Sequence, residues 1–381
     1  MKTRRSLWIW NWYGLVALSV AVGISFPIAA QDGASGKYVH FKWVKAADGV
    51  WLGISPPNSF ISGNTVIISI PGGAFVVDPH ITETTANEII AKAKEVAGPV
   101  KYLVNTHLHN DHSQGNFAFK KAFPDVQIIA HANSCWGERE KATARTTMRV
   151  GNLPAQMVTM KENLAKITDP KVKADLEHVI EGNEIYLEDS KHLQWTYPDQ
   201  CLNLKPGEAK VMTFGDRTIE IHYFGRAHTA GDLVVYLPKE KLLANGDLWM
   251  GSGGMPDFGR DGSGLEYGRT LRGVAQLQFT TVLPGHGEMM EGYKSLFSTM
   301  ETVENLVQQV KASVAKGQYI DQTLEAVKLA SGPPMQNLPS GPTLATYVPY
   351  MSGPAAGGFR RNVIRIYEEI ELLKQRDMPL P

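Results

Sequence analysis

The stretch Thr106-His107-Leu108-His109-Asn110-Asp111-His112 places three imidazoles and a carboxylate within six consecutive positions, in the pattern H-x-H-x-D-H. An isolated histidine is ordinarily a core or surface residue. Three of them with an aspartate at this spacing form a donor set suited to Zn²⁺ and its first-row neighbours. The preceding run, Val100-Lys101-Tyr102-Leu103-Val104-Asn105, reads as a buried strand, so the donors sit on a loop at a strand's C-terminal end.

One such motif holds too few ligands for a hydrolytic centre, which also needs an open position for water. Other His or Asp residues that directly follow an apolar strand are the candidates to complete it. His228 follows Ile219–Phe224 in Gly225-Arg226-Ala227-His228-Thr229, Asp247 follows Leu242-Leu243-Ala244 in Asn245-Gly246-Asp247, and His286 follows Val282-Leu283 in Pro284-Gly285-His286-Gly287. Each adjoins or nearly adjoins a glycine, which permits tight turns and close backbone approach. Asp78 also ends a strand. Alone, each of these residues reads as an ordinary turn or capping group. Side chains from one edge of a sheet can nonetheless converge on one point. The other six histidines, His40, His80, His131, His178, His192 and His222, read as structural or surface residues, with His80 the nearest to a candidate.

The elements that must carry these residues follow strand–helix–strand order. From Lys37 to Ile61 the pattern is irregular and aromatic, with Phe41, Trp43, Trp51 and Phe60. Thr65–Ile70 and Ala74–Val77 are strands around the turn Pro71-Gly72-Gly73. Thr82 or Thr84 caps a helix that Gly98-Pro99 stops, and the strand at 100–105 follows. This is the grammar of a layered α/β protein. Asp125–Ala130 is another strand. From Ser134 to about Leu193 the sequence turns helical, with Asp169-Pro170 as an N-cap and Gly182 as the matching stop. Strands resume at Lys210–Phe214, Thr218–Phe224, Leu233–Leu237 and Leu242–Asn245. A Gly-rich loop (Gly251–Gly264), a helix (Leu265–Leu277) and a strand (Thr280–Leu283) come next. A long amphipathic helix then presents Leu296, Met300, Val303, Val307, Val310 and Val314 on one face. A short helix near Leu324–Ala330, a Pro/Gly-rich stretch from Gly332 to Gly358 and a last helix carrying Val363, Ile366, Tyr367, Ile370 and Leu373 complete the chain.

The chain resembles the metallo-β-lactamase superfamily. The matching residues are Asp78, His107-x-His109-x-Asp111-His112, His228, Asp247 and His286, in that order, spread over residues 65 to about 290. The resemblance implies a four-layer αβ/βα sandwich with metals at one edge of two sheets. The family domain would span residues 37–316, with a helical insertion at about 134–200 and a helical C-terminal extension, 317–381, packed on it. It implies one metal bound by His107, His109 and His228, and a second bound by Asp111, His112 and His286, with Asp247 bridging them. By the same resemblance Asp78 steadies the ligand loop from outside the ligand set. Two Zn²⁺ suit the donors best, with Fe or Mn on the same ligands as alternatives. Two close divalent ions would make a bridging hydroxide available near neutral pH, with Asp111 orienting it and Asp247 holding the ions together. No G-x-S-x-G elbow is present to suggest a serine nucleophile.

The bridging position narrows the reading. Many true β-lactamases of the superfamily lack a bridging Asp there, and one subclass has Cys with a Lys three residues on. Here those positions are Asp247 and Met250, which resembles the glyoxalase II and lactonase branches. The expected activity is hydrolysis of an ester, thioester or lactone. The alternatives are hydrolysis of β-lactam antibiotics and, in a different class, a metal-bound binding or redox-partner protein without hydrolysis. Trp249, Met250, Met255, Phe258 and Tyr267 could wall a substrate pocket, or be ordinary core.

Composition sets the context. Of 381 residues 43% are hydrophobic, enough to bury a core, and Lys+Arg and Asp+Glu balance at 38 each. Without a global basic field, a nucleic-acid partner is not expected and a small-molecule substrate is. Lys2, Arg4 and Arg5 precede an uncharged stretch from Ser6 to Gln31 that contains Pro27-Ile28-Ala29-Ala30. That is the pattern of an export signal over residues 1–30, giving a periplasmic or secreted protein with no stable membrane association after cleavage. An uncleaved anchor is the alternative. Export permits a disulfide between the two cysteines, Cys135 and Cys201, which would staple the base of the insertion; two buried thiols are the other reading.

Overall fold

Val66-Ile67-Ile68 and Phe75-Val76-Val77 are buried whichever way their side chains point, which marks strands covered on both faces. The computed structural model describes residues 40–55, 63–136, 139–250, 255–327 and 354–380, and two sheets form its centre. β1 (Lys42–Ala47), β2 (Val50–Ile54), β3 (Thr65–Ile70) and β4 (Gly73–Val77) run antiparallel in succession. α1 (Glu83–Val96) crosses over to β5 (Val100–Val104), which lies parallel to β4. The short helices α2 (Asn110–Ser113) and α3 (Asn116–Ala122) lead to β6 (Gln127–His131). After α4 (Ala132–Trp136), α5 (Arg139–Leu164) and α6 (Pro170–Ser190), β7 (Gln200–Leu202) completes a seven-stranded sheet in sequential order.

The second sheet is built from β8 (Glu208–Phe214), β9 (Arg217–Tyr223), β10 (Leu233–Leu237) and β11 (Leu242–Gly246), all antiparallel. α7 (Gly264–Val274) then crosses to β12 (Thr281–Pro284), parallel to β11, and β13 (Met290–Glu291) closes the edge. α8 (Lys294–Ala315), α9 (Ile320–Ala326) and α10 (Pro354–Gln375) follow.

Three apolar layers hold these elements in the four-layer αβ/βα sandwich. Val66, Ile68, Phe75 and Val104 of one sheet face Ile219, Ile221, Val235 and Ala244 of the other. The far face of the first sheet packs Ile67, Val76 and Leu103 against Ala86, Ile89 and Phe119 of α1 and α3. The far face of the second packs Val234, Leu243 and Val282 against Leu271, Leu296, Val303, Val310, Val363 and Ile366. The insertion has a smaller core of its own, with Leu153, Met157, Leu176, Val179 and Tyr186 around Ile81. Cys135 of α4 and Cys201 of β7 are disulfide-bonded across its base, 6.0 Å apart at Cα.

Some elements differ from the sequence reading. Between Lys42 and Ile54 the chain is a hairpin, not irregular; a register shift between Lys45 and Ala47 breaks the alternation that would have revealed it. Gly182 does not stop a helix. It is buried inside α6, which continues to Ser190 from the expected cap, where the Asp169 carboxylate accepts from the amides of Lys171 and Val172 at 2.9 and 3.0 Å. Thr82, rather than Thr84, caps α1. The short strands β7 and β13 and the short helices α2 and α3 had no distinct pattern. The export signal over 1–30, Phe60, residues 328–330 of the expected short helix and most of the Pro/Gly-rich stretch from Gly332 lie outside the described residues. Among those described, no helix is long and apolar enough to cross a membrane.

Candidate metal centre

The ends of β4, β5, β9, β11 and β12 lie along one edge of the sandwich, and backbone contacts between the sheets fix their spacing. The Leu233 amide donates to the Thr106 carbonyl at 2.8 Å, joining the second sheet to the start of the His loop. Asn64, at the start of β3, donates from Nδ2 to the carbonyls of Pro284 and Gly287, both at 2.8 Å, and so cradles His286. Asn105 Nδ2 donates to the His112 carbonyl at 2.9 Å and pins the end of the H-x-H-x-D-H turn.

This edge brings all seven expected ligands together. His107, His109 and His228 form one compact group, and Asp111, His112 and His286 form another, each offering one donor atom within 4.8 Å of its companions. In the first group, His109 Nδ1 and His228 Nε2 stand 2.9 Å apart, and the Nε2 of His107 is buried with no hydrogen-bond partner among the described residues. In the second, His286 Nε2 lies 3.3 Å from His112 Nε2 and 3.3 Å from Asp111 Oδ2. The Asp247 carboxylate lies between the groups. Its Oδ2 is 3.6 Å from His228 Nε2, 3.9 Å from His107 Nε2 and 3.3 Å from His286 Nε2, and its Oδ1 is 3.4 Å from His112 Nε2.

The donors fit divalent cations on three counts. Two ligands sharing one tetrahedral ion at about 2.0–2.1 Å stand roughly 3.4 Å apart, close to these separations. Nδ1 of His109 and Nε2 of His228 face each other at 2.9 Å, an arrangement that a shared proton or a cation between them makes favourable. The backbone also leaves room for the carboxylate: a Cβ on Gly285 would fall 2.2 Å from Asp247 Oδ1, so only glycine is admitted there.

Electrostatics divides the cluster. Burial pushes the imidazoles of His107, His109 and His228 below their ordinary range, leaving three neutral donors. On the other side carboxylates dominate. Against the pull of burial, Asp247, Asp111 and Asp78 raise His112 well above the usual imidazole value, and Asp247 and Asp111 raise His286 to about 10. Likewise His112 and His286 hold the carboxyls of Asp111 and Asp247 well below theirs despite burial. A field that binds protons this firmly to histidine would favour a divalent cation in their place.

The outer contacts set which ring nitrogen faces the cluster. Asp78 accepts from the Thr106 amide at 2.7 Å and from His112 Nδ1 at 2.8 Å, leaving His112 Nε2 toward His286. Several supporting residues were not legible in the sequence. Asp232 accepts from the amide and hydroxyl of Thr229, the nearest at 2.6 Å, and ties the loop that carries His228; burial raises its carboxyl to about 7. The Thr-x-x-Asp spacing, Thr229 to Asp232, is a local turn signal that could have found it. Asp261, whose Oδ2 lies 3.2 Å from His109 Nε2, and Arg145 beside it had no local signal.

The expected pocket wall is mostly core. Trp249, Phe258 and Tyr267, the last on α7 itself, are at most 1% exposed within the core of the second sheet and its helices, with the Trp249 indole donating to Ser295 and the Tyr267 hydroxyl to the Leu248 carbonyl. These large side chains follow β11 on the face that the helices cover, so they pack inward. Met250 and Met255 are half-buried, and Met255 packs on the same cluster. His80 is fully buried, with Nδ1 2.8 Å from the Thr85 hydroxyl, and belongs to neither ligand group.

Comparisons with known proteins bear on this geometry. A family model described as the metallo-beta-lactamase superfamily matches residues 59–199, which include the H-x-H-x-D-H motif but not His228, Asp247 or His286. No curated protein matches the sequence. Among solved structures, a metallo-beta-lactamase from Pontibacter korlensis is similar at 18% identity and a TM-score of 0.50, over 70% of this chain and 99% of that one. The metallo-beta-lactamase FIM-1 from Pseudomonas aeruginosa, in a mono-zinc form, is also 18% identical with a TM-score of 0.50, over 74% of this chain and 100% of that one. At that identity the likeness is one of fold.

Proposed function

We propose that the chain, which a metallo-beta-lactamase superfamily model matches over residues 59–199, is a dinuclear, zinc-dependent hydrolase of an ester, thioester or lactone. The observation that carries the reading is the place of Asp247, whose one carboxylate lies within 3.3–3.9 Å of His107, His112, His228 and His286, histidines from both ligand groups. A bridging ligand of that kind fits a pair of ions.

His107, His109 and His228 would hold one ion, and Asp111, His112 and His286 the other. When bound, such ions supply a nucleophilic water near neutral pH and a Lewis acid for the substrate oxygen. The chain's own groups supply orientation. The Asp111 side chain is 24% exposed, more than that of any other aspartate in the cluster, so its carboxylate can accept a hydrogen bond from an entering water and hold it for attack. Asp78, the Thr106 hydroxyl and Asp261 keep the ligand rings in fixed tautomers, so little reorganisation is needed when charge develops.

The substrate class rests on Asp247 with Met250 three residues on, where a lysine to grip a drug's carboxylate is missing. The same reading puts the mature protein outside the cytoplasm as an exported chain acting on a small molecule. The Cys135–Cys201 disulfide supports an oxidising compartment. A panel of an aryl ester, a thioester, a lactone and a chromogenic cephalosporin tests the activity. Turnover of any of the first three, abolished by a chelator and restored by Zn²⁺, is the expected result. Fast turnover of the cephalosporin alone would make the protein a β-lactamase, and bound metal without turnover of any would favour a binding or redox role.

A further inference from the structure

Two additions to the sandwich, the helical insertion and the last helix, meet at one loop: the insertion reaches the Asp261 carboxylate and the last helix holds the loop residues on either side of it. Asp261 Oδ2 accepts from His109 Nε2 at 3.2 Å and from Nη1 of Arg145, on insertion helix α5, at 3.0 Å. Asp261 is 8% exposed, so this charge is held by the protein rather than by water. The backbone that carries it is clasped by α10. Asn362, fully buried, accepts at Oδ1 from the Phe258 amide at 3.0 Å and donates from Nδ2 to the Pro256 carbonyl at 2.7 Å. Arg361 pairs with Asp257 at 2.6 Å, Arg365 donates to the Gly262 carbonyl at 2.9 Å, and Glu369 accepts from the Gly264 amide at 3.1 Å. Positions 361, 362, 365 and 369 form one stripe of the helix, beside the apolar stripe of Val363, Ile366 and Ile370 that enters the core. The clasped loop also touches the His228 turn, where the Ser263 amide donates to the Ala227 carbonyl at 2.9 Å and a Cβ on Gly262 would fall 2.0 Å from that same oxygen.

We propose that Asp261 is a positioning residue for the first ligand group, held in place by Arg145 of the insertion and by the polar stripe of α10, so that these two additions set the metal affinity of a site to which they contribute no ligand. The inference rests on the dinuclear reading above. A helix that only covered the core would need its apolar stripe alone. Here a second stripe spends four side chains on one loop, and the one buried carboxylate of that loop which meets a ligand does so at His109. By accepting the Nε2 proton, Asp261 fixes the tautomer in which His109 Nδ1 keeps its lone pair, and Nδ1 is the atom facing His228.

Zn²⁺ competition against a chromophoric chelator tests this on the full-length protein, with His109→Ala as the reference variant. Asp261→Asn, which keeps the shape, should weaken binding of the first Zn²⁺ by ~10-fold, and Asp261→Ala by up to ~100-fold, the range for loss of an outer ligand contact. Asn362→Ala, remote from every ligand, should weaken it in the same direction. Ring-nitrogen NMR supplies a readout that mere destabilisation does not move: His109 should be Nε2-protonated in the wild type and a tautomer mixture in Asp261→Ala. If His109→Ala lowers affinity while both Asp261 variants bind like the wild type, the positioning proposal is wrong and the metal centre stands. If the wild type binds no Zn²⁺, or His109→Ala changes nothing, both readings fall.

Discussion

A single oxygen of Asp78 accepts hydrogen bonds from His112 Nδ1 and from the Thr106 hydroxyl, each at 2.8 Å. Since that hydroxyl spends its proton on Asp78, it can only accept from the neighbouring His107 Nδ1, 3.0 Å away. One buried carboxylate therefore sets the tautomers of a ligand in each metal group, one directly and one through a hydroxyl. Burial pulls the Asp78 carboxyl upward, and its contacts to His112 and Thr106 oppose that pull.

Asp78→Ala should then weaken both bound ions, by 10- to 100-fold each, whereas Thr106→Val should affect chiefly the ion held by His107. Titration with Zn²⁺ against a calibrated chelator separates the two. Equal losses in both variants would mean that Thr106 is not a relay to one ligand.

His80 gives a pH dependence with a definite sign. Burial pushes its imidazole from 6.5 down to about 3. The unfolded chain takes up a proton at a pH where the folded chain does not, so the stability due to neutral His80 is complete above pH 6.5. It is lost as pH falls toward 3, on the order of 5 kcal/mol in all at about 1.4 kcal/mol per unit. His80→Gln should flatten that acid limb in urea melts from pH 7 to pH 4 with chelator present. Its kcat at pH 7 should fall far less than that of a ligand variant. Parallel limbs for the two proteins would place the proton uptake elsewhere.

The Cys135–Cys201 bond closes a loop with a sequence separation of 66. In the chain-entropy model such a crosslink stabilises by about 4 kcal/mol. Cys201→Ser should lower the unfolding midpoint accordingly, and a reductant should lower the wild-type midpoint but leave the variant unchanged. A wild-type midpoint insensitive to reductant under denaturing conditions would show that the bond adds nothing.

Much of the centre was legible because each ligand follows a strand that its own residues announce: Leu103-Val104 before the His loop, Leu243-Ala244 before Asp247, Val282-Leu283 before His286. Strand patterns and their terminal residues are local properties, and the edge of a sheet converts order in sequence into proximity. What was missed is tertiary. Asp261 is an ordinary loop aspartate until α10, a hundred residues on, clasps the loop that carries it at Pro256 and Phe258. Asn64 is an ordinary polar residue until Pro284 and Gly287 present their carbonyls. The β1–β2 hairpin was hidden by its bulge, and Gly182 misled because buried helix packing can use glycine as readily as a helix end can. Trp249, Phe258 and Tyr267 follow a ligand in sequence, but their side chains are taken up by the core between the second sheet and its helices.

Asp247 carries the account, so metal stoichiometry in the wild type and in Asp247→Ala is the direct measurement. The wild type should hold close to two Zn²⁺ per chain after exhaustive dialysis. Asp247→Ala should hold distinctly fewer, lose kcat by orders of magnitude, and keep the far-ultraviolet circular dichroism of the wild type. An unchanged metal content and activity in Asp247→Ala would contradict the bridging role, and with it the dinuclear centre proposed for this chain.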